Sequence, residues 1–489
     1  MKKATRPPQV LLTTLLVTSI FSAMAAAAEP YHTLEKGEIA QGGATTHFKK
    51  ANSKAFSHPA ANMPFSQQLD FRLGHGIFKK LWVASPSSTT ATDGLGPLYN
   101  ARSCIQCHTR DGRGHAPDAN WPEDNAVSMF LRLSIPAQNE AQKEALESGR
   151  IGAIPDPVYG SQLQDFAVAG LSSEGRMNIS YSEFNVDLSG GQSAQLRRPE
   201  YHITDLQYGP THPALMLSPR IAPAMIGLGL LENIKESDII ALSDPDDLNG
   251  DNISGRPNQV WDAEKQLVAL GRFGWKAGHP TVNQQNNSAF NSDIGISTPY
   301  AKNPYGDCTD QQPACLNMAN GNSKHHEGLE ASSKMNDVLL FYTRHIGVPA
   351  RRGADRPEVL AGKKVFYESG CQLCHQPTFT TQVNPDQPQL SRQRIWPYTD
   401  LLLHDMGEGL ADNRPEFQAN GREWRTPPLW GIGLTKKVSG KESYLHDGRA
   451  RTLLEAILWH GGEGKQAMLK VKNMPVRDRD NLIKFLESL

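Results

Sequence analysis

Two C-x-x-C-H motifs are the parts of this 489-residue chain whose residue types and spacing point most directly to chemistry. They consist of Cys104, Cys107 and His108, and of Cys371, Cys374 and His375. In such a pentad the two thiols add to the vinyl groups of a haem, and the histidine becomes a ligand of its iron. Zinc knuckles and redox dithiols also use C-x-x-C, but neither needs a histidine directly after the second cysteine. Both pentads therefore predict a covalently attached haem c.

The N-terminus has the pattern of a secretory signal. Basic residues within the first six positions precede an apolar run from Val10 to Ala23, and Ala26-Ala27-Ala28 then offers small side chains for cleavage. We expect residues 1–28 to be removed, because an uncleaved anchor would want about 20 apolar residues. No later segment comes near that length, so no membrane span is expected in the mature chain. Since haem c is attached outside the cytoplasm in bacteria, the expected location is the periplasm.

The two remaining cysteines, Cys308 and Cys315, are close together in a polar stretch. In an oxidising compartment such a pair is expected to close a small disulfide that pins a loop. A redox-active pair is the alternative, although nothing nearby in the sequence would lower a thiol pKa.

Composition limits the remaining possibilities. Removal of the signal leaves about 460 residues, enough for two or three domains. The 42 glycines and 33 prolines indicate a loop-rich architecture. Lys and Arg total 50 against 51 for Asp and Glu, so no overall charge points to nucleic acid or an anionic membrane.

The spacing of the pentads predicts two unequal haem domains. His108 and His375 are 267 residues apart, which is too far for a tandem pair of minimal cytochromes. The pattern predicts an N-terminal haem domain with large insertions over 29–345 and a C-terminal cytochrome c-like domain over 346–489. The fold is expected to be mainly α with much irregular structure and small β pieces in the first domain. Residues 29 to about 60 are polar and are expected to form a mobile arm.

Several blocks resemble known dihaem enzymes. Gly362 and Phe366, ahead of Cys371, are similar to the lead-in helix of class I cytochromes c, in which the glycine allows close helix packing and the aromatic ring covers a haem edge. The run from Tyr444 to His460 resembles bacterial dihaem cytochrome c peroxidases and MauG-like proteins. Further blocks look like the dihaem oxidoreductase family also labelled thiol oxidoreductase; they are Gly227–Glu232, Gly271–Ala277 and Asp293–Ile296.

The resemblance implies a distal ligand for the second haem. The peroxidases place a methionine or tyrosine where this chain has His460, fourteen residues after His446. If His460 binds iron, the second haem is bis-histidine and low-spin, with a lower potential than a His/Met haem. A surface histidine at a helix end is the alternative reading of His460, and Met406 is the rival ligand.

The first haem is expected to be the site of reaction, and such a haem needs a nearby group to move a proton between peroxide oxygens. Glu232 is the first candidate, with a solvent-facing carboxylate at a helix start as its alternative. His212 and His279 are lesser candidates. Trp275, from a block shared with the family, is the candidate aromatic between the haems, although a simple core tryptophan is the alternative.

The sequence also contains a partial calcium-loop pattern. Asp247, Asn249 and Asp251 place oxygen ligands at alternate positions, as the start of an EF-hand loop does. The pattern lacks a glycine at its sixth position and a glutamate at its twelfth, so an Asx-rich turn is the alternative. Dihaem peroxidases hold a calcium between their haems, and that resemblance supports a calcium site here.

Taken together, these features predict a periplasmic dihaem oxidoreductase of peroxidase type. Electrons from a small donor such as a cytochrome c or cupredoxin would enter at the His375 haem and reduce peroxide, a small-molecule oxidant, at the His108 haem. One alternative is a MauG-like oxidation of a thiol, protein or organic substrate. The other is a non-catalytic dihaem electron carrier, which would need both irons six-coordinate and no enclosed pocket.

Overall fold

The computed structural model of the chain describes Met1, residues 33–89 and residues 92–489. The predicted signal segment therefore lies outside the described residues, apart from Met1. Within this part of the chain the helices α1 to α13 are, in order, Gln68–Lys79, Cys104–Cys107, Glu140–Glu147, Leu228–Glu232, Glu236–Ile240, Val282–Asp293, Pro313–Leu316, Ser333–Arg344, Pro357–Glu368, Thr435–Ser439, Leu453–Leu458, Lys465–Asn473 and Val476–Ser488.

Among the described residues, each strand pairs with one other strand. Strands β1 to β14 are, in order, Val83–Ala84, Asp93–Leu95, Leu98–Tyr99, Met129–Ser134, Phe166–Ala167, Arg176–Leu188, Gln192–Thr204, Met216–Ile221, Gln259–Asp262, Leu267–Leu270, Phe379–Thr380, Arg394–Ile395, Leu403–Asp405 and Glu423–Arg425. In the part of the chain that the structure describes, helix covers 29% and strand 19%, and the strands form no large sheet. The structure is a mixture of helices and small strands, so the expectation of a mainly α fold was too strong.

One β element is larger than the predicted small pieces. Strands β6 and β7, of 13 residues each, form an antiparallel hairpin with a register that runs without a break from Arg176–Thr204 to Leu188–Gln192. Gly190 takes the left-handed conformation, φ 78°, at the tip, which side chains other than glycine rarely adopt. The hairpin packs on α11 and α12, near the end of the chain.

The lead-in helix of the second pentad is built as the sequence predicted. Helix α9 packs against α13, and a Cβ added to Gly362 would lie 1.9 Å from the carbonyl oxygen of Asn481. Only glycine permits this approach of the two backbones. Phe366 on the same helix lies with its ring centroid 6.4 Å from that of His375.

Two large hydrophobic clusters form the core, and each draws residues from both sides of the predicted boundary at 345/346. One cluster runs from Ala55 to Val438 and the other from Ala116 to Leu489. The two halves therefore share their cores, and the division into two cytochrome c-like domains stays a prediction. Among the described residues, no helix combines the length and apolar character needed to cross a membrane.

The expected mobile arm is wrong for residues 33–60. Glu38, Gln41 and His47 are buried, and so are Ala55 and Phe56. Glu38 pairs with Arg351 and Lys363, and Gln41 donates to the Pro349 carbonyl, contacts that the polar composition alone did not reveal.

Candidate functional site

The first pentad opens a short helix at the wall of a cavity. Helix α2 begins at Cys104 and ends at Cys107. The Cys107 thiol donates to the carbonyl of Val127 at 2.8 Å, and neither cysteine is in a disulfide. Burial raises the pKa of the Cys104 thiol to about 12. Both sulfurs are therefore thiols that remain free for attachment.

His108 is oriented for ligation. Its Nδ1 donates to the carbonyl of Pro223 at 2.8 Å, an arrangement that leaves Nε2 for a metal. Burial lowers the pKa of His108 to about 4, so the imidazole is neutral at pH 7, as an iron ligand must be. The ring of Phe78 from α1 lies 6.1 Å away, centroid to centroid.

A cavity of about 350 Å³ adjoins this pentad, and Cys104, Cys107 and His108 are among its lining residues. Its walls carry much positive charge, from Arg113, Arg132, Arg220, Arg272, Arg414 and Arg425, with the acidic side chains Asp293 and Glu416. Few carboxylates balance these arginines.

Strands β4 and β8 place two of the arginines. Arg132 lies opposite Ser218, and Arg220 lies opposite Phe130. Because alternate residues of a strand point to the same face, Phe130, Arg132 and Arg220 present one face of this ladder, and all three line the cavity.

Glu416 is the anionic centre of this wall. Its Oε2 accepts from Arg220 and from Arg414, each at 3.1 Å. Burial alone would raise the pKa of Glu416, but the charges of Arg220, Arg414 and Arg132 outweigh it and lower the pKa to about 2. Glu416 is thus a permanent anion that neutralises part of the cluster.

His279 lines the same cavity, as the sequence analysis allowed. The turn that carries it is closed by hydrogen bonds between the backbones of Phe273 and His279. Burial lowers the pKa of His279 to about 4, against the opposing charge of Glu416, and its buried Nδ1 has no hydrogen-bond partner among the described residues. A neutral imidazole with a free nitrogen can accept a proton.

The structure does not place Glu232 at the cavity. Its carboxylate pairs with the Arg344 guanidinium, 3.1 Å from Nη2 to Oε1, and accepts from the backbone N–H of Val282 at 2.8 Å. Val282 is the first residue of α6, so Glu232 joins two helices. Its expected proton-transfer role is therefore not supported by the geometry. His212 is also absent from the lining; its Nδ1 accepts from the Ala214 N–H.

Trp275 does line the cavity and is 8% exposed. Its Nε1 donates to the carbonyl of Ile221 at 2.8 Å, and the Arg113 guanidinium lies 5.6 Å from its ring centroid. Its place between the haems stays a prediction.

A second histidine, His460, lies near the second pentad. The Nδ1 of His375 donates to the Tyr398 carbonyl at 3.0 Å, and that of His460 donates to the Ala456 carbonyl at 2.8 Å, which leaves both Nε2 atoms for ligation. Burial lowers the pKa of His375 to about 4, and His460 is close enough to add to this shift. Met406 is a neighbour of His460, since a Cβ on Gly464 would lie 3.0 Å from His460 and 3.4 Å from Met406. Both rival ligands are therefore at this site.

A buried histidine that the sequence analysis passed over lies beside Cys374. His404 is hydrogen-bonded through Nε2 to Asp400 at 2.8 Å and through Nδ1 to Glu463 at 2.6 Å. Burial lowers the pKa of His404, but the negative charge of Asp400 and the contact with Cys374 raise it well above its usual value. His404 is therefore an imidazolium held between two carboxylates, 3.6 Å from the Cys374 sulfur.

Trp424 contacts residues of both sites. Trp424, opposite His404 in the β13–β14 pair, stacks on His446 with centroids 3.8 Å apart. Arg220 and Lys276 lie over the Trp424 ring at 4.9 and 4.6 Å. Trp424 is thus a second candidate, besides Trp275, for an aromatic on the path between the pentads.

The side chains of the predicted calcium loop do not converge. Both carboxylate oxygens of Asp247 accept from the Asn252 N–H, Asp251 accepts from the Ile253 N–H, and Asn249 accepts from the Asp251 N–H. Within the described part of the chain, no group of three or more His, Cys, Asp or Glu side chains is arranged to hold a metal ion. These contacts match the Asx-rich turn, and the calcium site stays a prediction without support from them.

The disulfide prediction agrees with the structure. The Cys308 and Cys315 sulfurs are at bonding distance, with their Cα atoms 6.2 Å apart. The adjacent Asp307 accepts from the Ser161 and Gln162 backbones. Since Ser161 lines the cavity, the closed loop supports its wall.

The residues at both pentads suit a haem. Each has two thiols outside any disulfide and a histidine whose Nδ1 is already occupied. The buried Arg113 Nε and Arg414 Nε have no hydrogen-bond partner among the described residues. A haem brings two propionates, which would supply anions that the first cavity lacks. When bound, a haem supplies iron redox chemistry at each pentad.

Comparison with known proteins agrees with this arrangement. The model of the family described as "Di-haem oxidoreductase, putative peroxidase" matches residues 36–489. No curated protein matches the chain by sequence. The protein belongs to the di-haem oxidoreductase family.

Proposed function

We propose that this protein is a periplasmic dihaem c-type oxidoreductase that reduces peroxide at its first pentad, with electrons delivered at its second. The observation that carries the proposal is the contrast between the two pentads. The first adjoins a cavity of about 350 Å³ that contains His279, Glu416 and several arginines. At the second, His460 lies near His375 and would offer a second imidazole to a haem bound there.

The chain's own residues support peroxide chemistry at the first pentad. Reduction of hydrogen peroxide to two waters consumes two electrons and two protons, and one proton must move between the peroxide oxygens. Neutral His279 accepts that proton and returns it to the leaving oxygen. Arg132 stabilises the negative charge that develops on the oxygens, while Glu416 keeps Arg220 and Arg414 fixed.

The second pentad is the proposed entry for electrons. His375 and His460 would hold the iron of a haem there, and a small periplasmic donor such as a cytochrome c or cupredoxin would supply the electrons. Trp275 shortens the electron-transfer path from the second pentad to the first. Oxidation of a thiol, protein or organic substrate by a MauG-like reaction would use the same cavity, whereas in a pure electron carrier the haem and a sixth ligand would fill it.

The test is peroxide turnover by the purified mature protein with a reduced cytochrome c donor. We expect His279→Ala to lower turnover by about 100-fold or more, the usual contribution of a proton-transfer group, with haem content unchanged. His212→Ala, which alters a histidine outside the cavity, is the matched control. Absence of peroxide turnover in the wild type, in both the oxidised and half-reduced states, would refute the proposal in favour of the carrier or MauG-like reactions.

A further inference from the structure

Glu38 is a fully buried carboxylate near the start of the described chain. It pairs with the Arg351 guanidinium and with the Lys363 ammonium, the latter at 2.8 Å, and both cationic side chains are 1% exposed. It also accepts from the Tyr398 hydroxyl at 3.1 Å. An ion cluster buried this deeply is costly unless every partner is in place, so the positions of these side chains are tightly coupled.

Tyr398 connects this cluster to the second pentad. Its backbone carbonyl accepts from Nδ1 of His375 at 3.0 Å, while its hydroxyl donates to Glu38 at the other end of the side chain. The residue has φ 53°, in the left-handed region that tyrosine rarely adopts. Its ring packs on Phe366 and Phe485, with centroids 5.7 and 5.8 Å away. A strained backbone persists only where its surroundings fix it, and the contact with Glu38 is part of that fixation.

The backbone of the segment around Glu38 also forms hydrogen bonds with the chain near Tyr398 and with Arg351. The Gln41 carbonyl accepts from the Trp396 N–H at 2.7 Å, and the Ile39 carbonyl accepts from the Arg351 N–H at 2.9 Å. After Tyr398, the Asp400 N–H donates to the Cys374 carbonyl at 3.0 Å. The segment that contains Tyr398, whose carbonyl accepts from His375, thus lies between the second pentad and the N-terminal segment.

We propose that Glu38 is a positioning residue for the axial ligand of the second haem, acting through Tyr398. By holding the tyrosine hydroxyl, it keeps the Tyr398 carbonyl in place as the acceptor for His375. The inference rests on the proposed attachment of a haem at Cys371 and Cys374.

The hydrogen bond from His375 to the Tyr398 carbonyl is expected to lower the reduction potential of the second haem. A hydrogen bond from the second ring nitrogen raises the basicity of a ligating imidazole, and a more basic ligand favours the ferric iron. When the Tyr398 carbonyl is free to move, this hydrogen bond weakens and the potential rises. The first haem has a different acceptor, the Pro223 carbonyl, and is expected to be unaffected.

The experiment is a redox titration of the full-length holoprotein followed by haem absorbance, for Tyr398→Phe and Glu38→Gln. Tyr398→Phe removes the hydroxyl and keeps the ring and the carbonyl. We expect both variants to favour reduction of the second haem by about tenfold, or about 59 mV for a one-electron couple. Glu35→Gln is the matched control, because Glu35 also pairs with Lys363, at 3.3 Å, and has no contact with Tyr398 among its hydrogen bonds and ion pairs.

A second-haem potential in Tyr398→Phe that equals the wild type overturns the inference, and so do equal shifts in Tyr398→Phe and the Glu35→Gln control. If Glu38→Gln does not fold, Tyr398→Phe decides the question alone. Loss of the second haem from Tyr398→Phe would also overturn it, because a positioning residue is not needed for attachment. A wild-type protein whose intact mass lacks two haems would instead refute the proposed function.

Discussion

Replacing Glu416 by glutamine tests the charge balance of the first cavity. The side chain is 16% exposed and accepts from Arg220 and Arg414. The variant keeps the shape of the side chain and removes its charge, so the cluster of Arg220, Arg414 and Arg132 loses its closest anion. We therefore expect Glu416→Gln to be less stable than the wild type at pH 7.

The magnitude follows from the pKa of Glu416, which is lowered from 4.5 to about 2. At about 1.4 kcal/mol per pH unit, this difference corresponds to about 3 kcal/mol of stability. Removal of one partner from a buried ion pair costs about 3–5 kcal/mol, which agrees. Because the folded pKa is below the unfolded pKa, the contribution is fully present above pH 4.5 and is lost as the pH falls from 4.5 to about 2.

Urea denaturation at several pH values measures this contribution. We expect the free energies of unfolding of wild type and Glu416→Gln to differ by about 3 kcal/mol at pH 7 and to converge near pH 2, where the wild-type carboxylate is protonated. Glu408→Gln is the control, since Glu408 is 79% exposed and pairs with Arg422 at 3.3 Å. Such exposed pairs contribute at most about 1 kcal/mol. A Glu416→Gln effect as small as that of the control, or one that does not change with pH, would refute the reasoning.

Three further outcomes are expected. In His460→Gly the second haem loses its low-spin spectrum and binds carbon monoxide when reduced, whereas Met406→Leu keeps the wild-type spectrum; the opposite pattern would make Met406 the ligand. Trp275→Phe slows electron transfer between the haems in stopped-flow measurements without changing either potential, and an unchanged rate would leave Trp275 a core residue. Treatment with EDTA leaves metal content and haem spectra unchanged, because the Asp247 carboxylate is hydrogen-bonded within its own turn. Release of calcium by EDTA would instead support the predicted calcium site.

Local patterns were readable from the sequence. The predicted haem attachment depends on five consecutive residues, and in both pentads the structure has two thiols outside any disulfide and an imidazole whose Nδ1 donates to a carbonyl. The close packing of Gly362 and the place of Phe366 near the pentad were also expected, because the resemblance to the lead-in helix of class I cytochromes c implied them. Cys308 and Cys315 are separated by 7 positions in sequence, so a disulfide between them closes a short loop.

The residues that line the cavity could not be predicted from local sequence patterns. Arg132 and Arg220 meet because β4 pairs with β8, and Glu416 reaches them from much later in the chain. The alternation of Met129 and Leu131 with Phe130 and Arg132 indicates a strand with two different faces, but no local pattern identifies its partner. Glu232 shows the same limit, since its place in a block shared with the family did not reveal its ion pair with Arg344.

Polar composition misled the interpretation of the N-terminal segment. Charged residues such as Glu35 and Glu38 are usually solvated, which favours a mobile arm. Here Glu38 is buried because Arg351 and Lys363, more than 300 residues later in the chain, compensate its charge. Pairing over such distances is a property of the folded chain that composition does not record.

The most direct test of the central claim, that one pentad serves an open haem and the other a closed one, is a carbon monoxide titration of the fully reduced, purified protein. The arrangement of the cavity and of His460 predicts one carbon monoxide bound per chain, at the haem attached to Cys104 and Cys107. A chain that binds none, or one that binds two in the presence of intact His460, would contradict it.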